Sequence, residues 1–294
     1  MIPHPFLLDG AWASSERALE VRAPWDATVV DRVCRPTSAQ IEQALAAAAR
    51  AFGPLKALPT HARAGMLERM AALLQERAEE MAQTLAREAG KPIRDARGEV
   101  LRSQGTLRAA AEEIRRFSGE WMPLDTVPSP LLEHRAGLVR RFPVGPVLAV
   151  TPFNFPLNLT CHKIAPALAV GCPVIHKPAS QTPLTALALA RIAVEAGVPA
   201  GALQTLPMTA AETEALLTDP RLAAISFTGS PEVGWGLRAK AGTKRVSLEL
   251  GGNAAVIVED CDDLAAAARR CATGAFAYAG QVCISLQKIG RAHV

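Results

Sequence analysis

A glutamate and a cysteine near the end of the chain are of types that suit covalent catalysis. Glu249 follows the apolar run 245–248, and Cys283 follows a flexible Ala-Gly turn at 279–280. A thiolate can act as a nucleophile, and a carboxylate can activate water against the group that the thiol has bound. Each residue alone is more often structural, because a lone Glu commonly caps a turn and a lone Cys commonly packs in a core. The pair is therefore a hypothesis that needs support from the rest of the chain.

Two further polar side chains directly follow predicted strands. Asn154 lies in the run Thr151-Pro152-Phe153-Asn154-Phe155-Pro156, whose two prolines fix a turn. An amide held there could donate to a developing oxyanion, although a turn-capping Asn is the ordinary alternative. Lys177 closes an apolar strand before a proline, so its ammonium should point into a crevice and could meet ribose hydroxyls or a phosphate. The alternative is a lysine that lies along the surface, and His176 beside it is expected to be a packing residue.

A third candidate motif is the run Phe227-Thr228-Gly229-Ser230-Pro231. Gly229 permits a tight turn, Ser230 can cap a helix, and Pro231 suits the first helical turn. The amide groups at such a helix start can bind the pyrophosphate of a dinucleotide. The usual Gly-x-Gly-x-x-Gly spacing is absent, so a plain capped helix start is the alternative.

The segments that would position these residues alternate regularly from Val147 onward. This pattern predicts an α/β fold with a doubly wound, mostly parallel sheet of the Rossmann-like kind. Strands are predicted at 147–150, 173–176, 203–206, 223–227 and 245–248, and helices at 158–170, 183–195, 211–217 and 231–241. The candidate residues fall at the carboxyl ends of these strands, where ligands bind in such sheets.

The earlier part of the chain has a different pattern. Residues up to Cys34 are predicted to form short irregular strands along a surface, and helices are predicted at 39–52, 60–90 and 94–117. Prolines interrupt any helix between Trp121 and Arg135. The strand predicted at 138–142 either packs on another subunit as an arm or forms a surface hairpin.

Composition excludes several classes of protein. The 294 residues are 49% hydrophobic and 20% charged, with a net charge of +4 that forms no basic block and a single tyrosine, so no nucleic-acid platform is expected. The six cysteines have no zinc-like spacing, so no metal site is expected, and reduced thiols indicate a cytoplasmic setting. Neither a signal peptide nor an apolar run of about 20 residues is visible, so we expect no membrane span.

Taken together and in order, the motifs resemble those of the aldehyde dehydrogenase superfamily. They are the Asn154 run, Lys177-Pro178 with Gln181-Thr182-Pro183, Phe227-Thr228-Gly229-Ser230, Leu248-Glu249-Leu250-Gly251-Gly252-Asn253 and Gly280-Gln281-Val282-Cys283. The resemblance covers about Ile2 to Lys288 and is closest to bacterial lactaldehyde and semialdehyde dehydrogenase-like members.

The resemblance implies a reaction. The Cys283 thiolate would attack an aldehyde, and the Asn154 amide with the Cys283 backbone N–H would stabilise the oxyanion of the thiohemiacetal. Hydride would pass to a nicotinamide and leave a thioester, which water activated by Glu249 would hydrolyse to a carboxylic acid. An acylating, coenzyme A-dependent relative usually lacks this Glu, so Glu249 argues against that alternative. The other alternative is a non-catalytic dinucleotide-binding fragment. The presence of Asn154, Glu249 and Cys283 together argues against it.

The resemblance also implies NAD or NADP as the cofactor. Lys177 would hold the adenosine ribose, and Gly229 and Ser230 would lie by the pyrophosphate. The family commonly has a Glu where Ser180 stands. A Glu would repel a 2′-phosphate, whereas Ser leaves room for one, so we expect NADP to be accepted. The other implied cofactor-binding residues are Thr151, Pro152, Phe153, Phe227, Val233, Leu250 and Gly251.

The implied domains are an NAD(P)-binding domain at 1–120 and 144–252, a bridging arm at 121–143 that serves a homodimer or homotetramer, and the start of an α/β catalytic domain at 253–288. The residues 289–294 do not resemble the family, and ATC GGA AGA GCA CAC GTC, which matches a common sequencing-library adapter, can encode them. We interpret them as an artefact of a gene fragment.

Family members continue well past the cysteine. We therefore expect this chain to have negligible activity and to aggregate. The sequence does not indicate which aldehyde is the substrate, and Leu157, Leu159 and His162 are the residues expected at the substrate entrance.

Overall fold

A seven-stranded sheet forms the centre of the computed structural model, which describes residues 2–259 and 262–291. In spatial order its strands are Arg245–Glu249 (β11), Ala224–Thr228 (β10), Val147–Val150 (β7), Val174–Lys177 (β8), Leu203–Thr205 (β9), Phe6–Leu8 (β1) and Ala11–Ala13 (β2). The strands from β11 to β9 are parallel, and β1 and β2 add an antiparallel edge. Successive crossovers lead from β7 towards β9 on one side and then to β10 and β11 on the other, which places a crevice at the central strand.

Helices cover both faces of this sheet, so the predicted doubly wound α/β fold is confirmed. The first face packs against Thr60–Glu76 (α2), Ala78–Ala89 (α3), Ile93–Arg116 (α4), Asn158–Val170 (α5) and Pro183–Glu195 (α6). The second packs against Ser38–Ala57 (α1), Ala210–Ala215 (α7) and Pro231–Lys240 (α8). Leu148 and Ile175 on the central strands are fully buried, because a parallel sheet covered on both faces has no wet side.

The helix predicted as one segment at 60–90 is two helices, with the break at Arg77. Arg77 leaves helical geometry at φ −104° and ψ 22°, and its side chain pairs with Glu195 on α6. The break lets α3 pack against both α4 and α6. No glycine or proline lies at this break, so the periodic pattern of apolar residues predicted one continuous helix.

The prediction that the first 34 residues only run along a surface is wrong for β1 and β2, which extend the main sheet. Phe6, Leu7 and Leu8 are all buried, and Leu7 pairs with Thr205 of β9. A strand buried on both faces has no alternation of polar and apolar residues, which is why its place in the sheet was not visible. The strands Ala18–Arg22 (β3) and Val29–Cys34 (β4) do form a separate antiparallel hairpin.

Two smaller sheets lie outside the central one. The strands Glu120–Pro123 (β5) and Ala136–Val139 (β6) form an antiparallel hairpin, so the strand predicted at 138–142 begins and ends earlier. The strands Ala254–Val258 (β12) and Leu286–Arg291 (β13) form a parallel pair joined by Leu264–Phe276 (α9). In this unit Ile257 and Phe276 are 78% and 77% exposed, so it presents bare apolar surface.

None of the helices described is both long and apolar enough to cross a membrane. Within residues 2–259 and 262–291, no cluster of three or more His, Cys, Asp or Glu side chains has the proximity to hold a metal ion.

Candidate active site

The carboxyl ends of four parallel strands form one edge of the central sheet. Val150 is in register with Lys177 on one side and with Phe227 on the other, and Thr228 is in register with Glu249. The residues that follow these strands therefore lie along a single crevice. Register alone brings together the motifs that are far apart in the sequence.

Asn154 contacts the segment that carries the cysteine. Its side-chain Nδ2 donates to the backbone carbonyl of Gln281 over 2.9 Å, two residues before Cys283. Its Oδ1 accepts from the N–H of Phe155 at 3.1 Å, and its backbone carbonyl accepts from Lys91 Nζ at 2.7 Å. Hydrogen bonds at both its nitrogen and its oxygen therefore orient the Asn154 side-chain amide beside the turn that carries Cys283.

The loop after Glu249 reaches the same turn. A Cβ built on Gly252 would lie 3.2 Å from the backbone oxygen of Cys283, so the two segments are in close contact. The carbonyl of Glu249 accepts from the N–H of Gly229 at 3.1 Å, which fixes the strand end. The structure thus brings the segments of Asn154, Glu249 and Cys283 together. The side chains of Glu249 and Cys283 are both exposed, and Cys283 is a free thiol.

Lys163 was not singled out from the sequence. It is a charged residue in the largely apolar helix α5, which is the signal that could have indicated it. Its buried Nζ donates to Ser226 Oγ on β10 at 3.1 Å. Burial lowers the pKa of Lys163 to about 8, and the carboxylate of Glu249 opposes part of this effect. A cation therefore lies within electrostatic reach of Glu249.

Of the three residues expected at a substrate entrance, Leu157 is fully buried in the core and is not at the surface. Its N–H donates to Glu99 Oε1 at 2.9 Å, which fixes the residue under α4. His162 is exposed, and its ring is hydrogen-bonded to Asn158 Nδ2 at 3.2 Å. Burial, with the charges of Arg102 and Lys163, lowers the pKa of His162. Leu159 is partly exposed.

The predicted cofactor residues line the same edge. Ser230 caps α8 by accepting from the N–H of Val233, and Pro231 begins the helix. A Cβ on Gly229 would lie 2.5 Å from the Phe227 ring, so this turn leaves no room for a side chain. A helix N-terminus beside a strand end, preceded by a residue without a side chain, fits a dinucleotide pyrophosphate.

Other expected cofactor residues surround this turn. Lys177 ends β8 and is partly buried, and burial lowers its pKa. Ser180 is exposed on the loop that follows. Thr151 is buried and its hydroxyl is hydrogen-bonded to His176 Nε2 at 2.9 Å, so His176 supports this strand end rather than only filling space. Pro152 and Phe153 are partly buried, and Leu250 lies against Gly234 of α8, next to Gly251.

Two buried glutamates that sequence patterns did not indicate replace the usual side-chain caps of the helices beside the crevice. Glu88 accepts from the N–H groups of Leu184 and Thr185 at the start of α6, each at 2.8 Å. Glu99 accepts from the N–H groups of Leu157 and Asn158 at the start of α5. Each glutamate caps a helix that is distant in the sequence, so the local pattern of residues does not predict these contacts.

Comparison with known proteins gives consistent matches. The model of the family described as "Aldehyde dehydrogenase family" matches residues 12–290. This range includes Ile289 and Gly290, two residues that the sequence interpretation assigned to a foreign tail. These two residues lie in β13, and residues 292–294 of that tail lie outside the described residues.

Among curated relatives, 3-sulfolactaldehyde dehydrogenase of Priestia aryabhattai is 42% identical over 283 residues, which cover 96% of this chain and 58% of the relative. The mitochondrial succinate-semialdehyde dehydrogenase of Arabidopsis thaliana is 39% identical over 288 residues, covering 96% and 53%. The chain therefore spans somewhat more than half the length of these relatives.

Solved structures agree. Aldehyde dehydrogenase 21 of Physcomitrella patens, in complex with the reaction product succinate, superposes with a TM-score of 0.94 at 41% identity, covering 99% of this chain and 61% of that one. The NADP-dependent glyceraldehyde-3-phosphate dehydrogenase of Bacillus halodurans, complexed with NADP, has a TM-score of 0.94 at 32% identity, covering 99% and 62%.

Proposed function

The chain belongs to the aldehyde dehydrogenase family, and from that premise we propose that its site serves the NAD(P)-dependent oxidation of an aldehyde to a carboxylic acid. The observation that carries the proposal is the hydrogen bond from Asn154 Nδ2 to the Gln281 carbonyl, which holds an amide donor beside the cysteine turn. An amide nitrogen has two hydrogens. The one that Gln281 does not take is available to an oxygen on the substrate.

In the first half of the reaction, the Cys283 thiolate adds to the aldehyde carbon and the carbonyl oxygen becomes an oxyanion. The Asn154 side chain and the Cys283 backbone N–H donate to that oxyanion, and this stabilises the tetrahedral thiohemiacetal. A nicotinamide dinucleotide supplies the hydride acceptor when it is bound. Loss of the aldehyde hydrogen as hydride leaves the acyl group on Cys283 as a thioester.

In the second half, Glu249 takes a proton from water, which attacks the thioester carbon. The C–S bond breaks, Cys283 returns as a thiolate, and the acyl group leaves as a carboxylic acid. Lys163 lies within electrostatic reach of Glu249.

Binding of the cofactor is assigned to the edge where β7, β8, β10 and β11 end. The α8 N-terminus with Gly229 and Ser230 would hold the pyrophosphate, and Lys177 would hold the adenosine ribose. Ser180 is exposed and uncharged. It leaves room for a 2′-phosphate, so we assign NADP as an accepted cofactor and propose that it is preferred over NAD. The crystal structure of the Bacillus halodurans relative with NADP supports this assignment.

The substrate class is an aldehyde with an anionic group at its far end. The relatives from Priestia aryabhattai and Arabidopsis thaliana are named for 3-sulfolactaldehyde and succinate semialdehyde, which carry a sulfonate and a carboxylate. In this chain the Arg102 guanidinium lies 5.7 Å from the centre of the Phe155 ring, next to Asn154, and acts electrostatically on His162. Succinic semialdehyde should therefore protect Cys283 from alkylation better than butanal does, and Arg102→Met should remove the difference.

An activated ester tests the nucleophile without any hydride step. With p-nitrophenyl acetate, we expect a burst of nitrophenolate and an acetyl group on Cys283, detected by peptide mass spectrometry. Asn154→Ala should slow acetylation on the order of a hundredfold, Cys283→Ser should abolish the thioester, and Glu249→Gln should retain the acetyl group. Asn253→Ala, at an exposed amide, is the matched control. Acetylation of the other thiols at the same rate as Cys283 would contradict the proposal.

We further propose that the chain alone has negligible steady-state dehydrogenase activity and tends to aggregate. Glu249 and Cys283 are both exposed, and a site open to water gives weak electrostatic stabilisation of a transition state. The bare apolar surface around β12, β13 and α9 favours aggregation. Sustained aldehyde-dependent production of NAD(P)H by the purified chain would show this proposal to be wrong.

The hairpin of β5 and β6 is assigned as an arm that joins subunits of a homodimer or homotetramer. Trp121 and Leu138 face each other across the two strands and are 69% and 71% exposed. In the soluble fraction, replacing both with Ser should raise the share of monomer on size-exclusion chromatography. An unchanged elution volume would count against the arm.

A cytoplasmic location is part of the same proposal. The cysteines that the structure describes, which exclude Cys261, all carry free thiols. Free thiols are typical of reducing compartments. Tagged expression with fluorescence imaging of the cell would check this assignment.

A further inference from the structure

A buried ion pair lies directly behind the loop of Asn154. Lys91 and Glu99 have fully buried side chains, and Lys91 Nζ donates a hydrogen bond to Glu99 Oε2. Lys91 Nζ also donates to the backbone carbonyl of Asn154 at 2.7 Å. The second oxygen of Glu99 accepts from the N–H groups of Leu157 and Asn158 at 2.9 and 3.0 Å. One ion pair therefore fixes both ends of the segment from Asn154 to the start of α5.

The same lysine contacts the turn that precedes the nucleophile. Lys91 Nζ lies 3.9 Å from the ring centre of Phe155 and 4.4 Å from that of Tyr278. The two rings meet edge to face, with their centres 6.0 Å apart. The Tyr278 hydroxyl donates to the backbone carbonyl of Ala89 at 2.8 Å. The aromatic side chain is thus held by groups from the cofactor-binding part of the chain.

The backbone around Tyr278 has a conformation that costs free energy. Tyr278 and Ala279 have φ values of 49° and 55°, in the left-handed region that residues with a Cβ rarely adopt. Gly280 follows with a φ of 75°. Such a turn persists where surrounding contacts hold it in place. The Tyr278 side chain supplies such contacts with Ala89, Lys91 and Phe155.

We propose that Lys91 and Tyr278 are positioning residues, which hold the Cys283 turn against the Asn154 loop. Their contacts fix two segments that are distant in sequence, and the hydrogen bond from Asn154 Nδ2 to Gln281 forms where these segments meet. The catalytic consequence, that the Asn154 amide and the Cys283 thiol act on the same substrate, rests on the proposed function. The positioning role itself can be tested without enzyme activity.

Nuclear magnetic resonance of the chain labelled with ¹⁵N-asparagine tests this. The asparagines are Asn154, Asn158 and Asn253, and loss of a cross-peak pair in Asn154→Ala assigns the Asn154 side chain. Its resonances in the unmodified chain should differ from those of the exposed Asn253, because its amide is hydrogen-bonded. In Tyr278→Leu and in Lys91→Met they should move to the positions of Asn253. Thermal unfolding followed by circular dichroism verifies that each variant is folded.

Lys240→Met is the matched control, because it removes a lysine that pairs with Glu214 on the surface. It should leave the Asn154 resonances unchanged. Lys91→Met leaves Glu99 buried without its partner and risks the fold, so Tyr278→Leu, which removes a half-buried side chain, is the independent second variant.

Three results overturn the proposal. They are unchanged Asn154 resonances in folded Tyr278→Leu, an Asn154 signal that already coincides with Asn253 in the unmodified chain, and an equal shift in the Lys240→Met control. Failure of Cys283 to accept an acetyl group would overturn the proposed function while leaving these measurements intact.

Discussion

The ring of Phe227 lies so close to Gly229 that a Cβ added to this glycine would be 2.5 Å from Phe227 Cζ. Phe227 is buried in the apolar cluster on the second face of the sheet, so its ring has little freedom to move away. The turn at the start of α8 therefore depends on a residue without a side chain.

Gly229→Ala should weaken binding of NADPH. The backbone of the turn has to shift away from the Phe227 ring, and overpacking of this kind typically costs about 1–3 kcal/mol, so the Kd should rise roughly tenfold. Gly236→Ala, within the helix that follows this turn, is the matched control, because a Cβ there meets no atom within 4 Å. Quenching of tryptophan fluorescence by NADPH measures both. Equal Kd values for the two variants would refute the crowding argument.

Ser180→Glu should reverse the proposed preference for NADP. A carboxylate at this position would repel a 2′-phosphate and would accept hydrogen bonds from an unphosphorylated ribose. The Kd of NADPH should rise at least about tenfold, while the Kd of NADH stays the same or falls. Gln181→Glu places the same charge on the neighbouring exposed residue and controls for general electrostatics. A strong preference of the unmodified chain for NADH would show that the premise is wrong.

The contribution of Glu88 to the free energy of unfolding should fall as the pH rises from 5 to 8. Burial raises the pKa of Glu88 to about 7, above the usual carboxyl value of 4.5. Between pH 4.5 and pH 7 the folded state keeps a proton that the unfolded state has released. The free energy of unfolding therefore falls as the pH rises through this range. The penalty is about 2 kcal/mol between pH 5 and pH 8.

Urea unfolding at the two pH values measures this effect. The advantage of the unmodified chain over Glu88→Gln should shrink by about that amount at pH 8, since Gln does not titrate. Glu80→Gln, on the exposed side of the same helix, should show no such change. A difference between the Glu88 variant and the unmodified chain that is independent of pH would contradict the argument.

Cys283 should react with iodoacetamide faster than the other thiols that the structure describes. Cys34, Cys161 and Cys172 are buried, and burial raises the pKa of Cys161, so these three should react at least about tenfold more slowly. Cys271 is partly exposed. Its rate therefore shows how fast an accessible thiol reacts when it is not activated. Peptide mass spectrometry at several times gives each rate. If Cys271 and Cys283 react equally fast, exposure alone accounts for the labelling.

Sequence patterns located the sheet because its elements are local. The apolar run at 158–170 and the Pro-initiated run at 183–195 gave the bounds of α5 and α6 as the structure has them. The motif residues at the strand ends lie along one edge because parallel strands place their carboxyl ends together. This follows from topology and needs no knowledge of side-chain contacts.

Features that depend on contacts between distant residues were not predicted. The caps formed by Glu88 and Glu99 link residues 96 and 58 positions apart, to Leu184 and Leu157. A buried glutamate looks like any other helix residue until its partners are known. The same holds for Lys91, whose partners Asn154 and Tyr278 lie in two separate later segments.

The pairing of Leu7 with Thr205 has a consequence for synthesis on the ribosome. β1 leaves the exit tunnel well before its neighbour in the sheet, β9, which is made about two hundred residues later. Closing so long a loop is slow, so Phe6, Leu7 and Leu8 lack their partner strand β9 during much of translation, and only their pairing with β2 can form early. These three residues are therefore where a nascent-chain chaperone would bind with most effect.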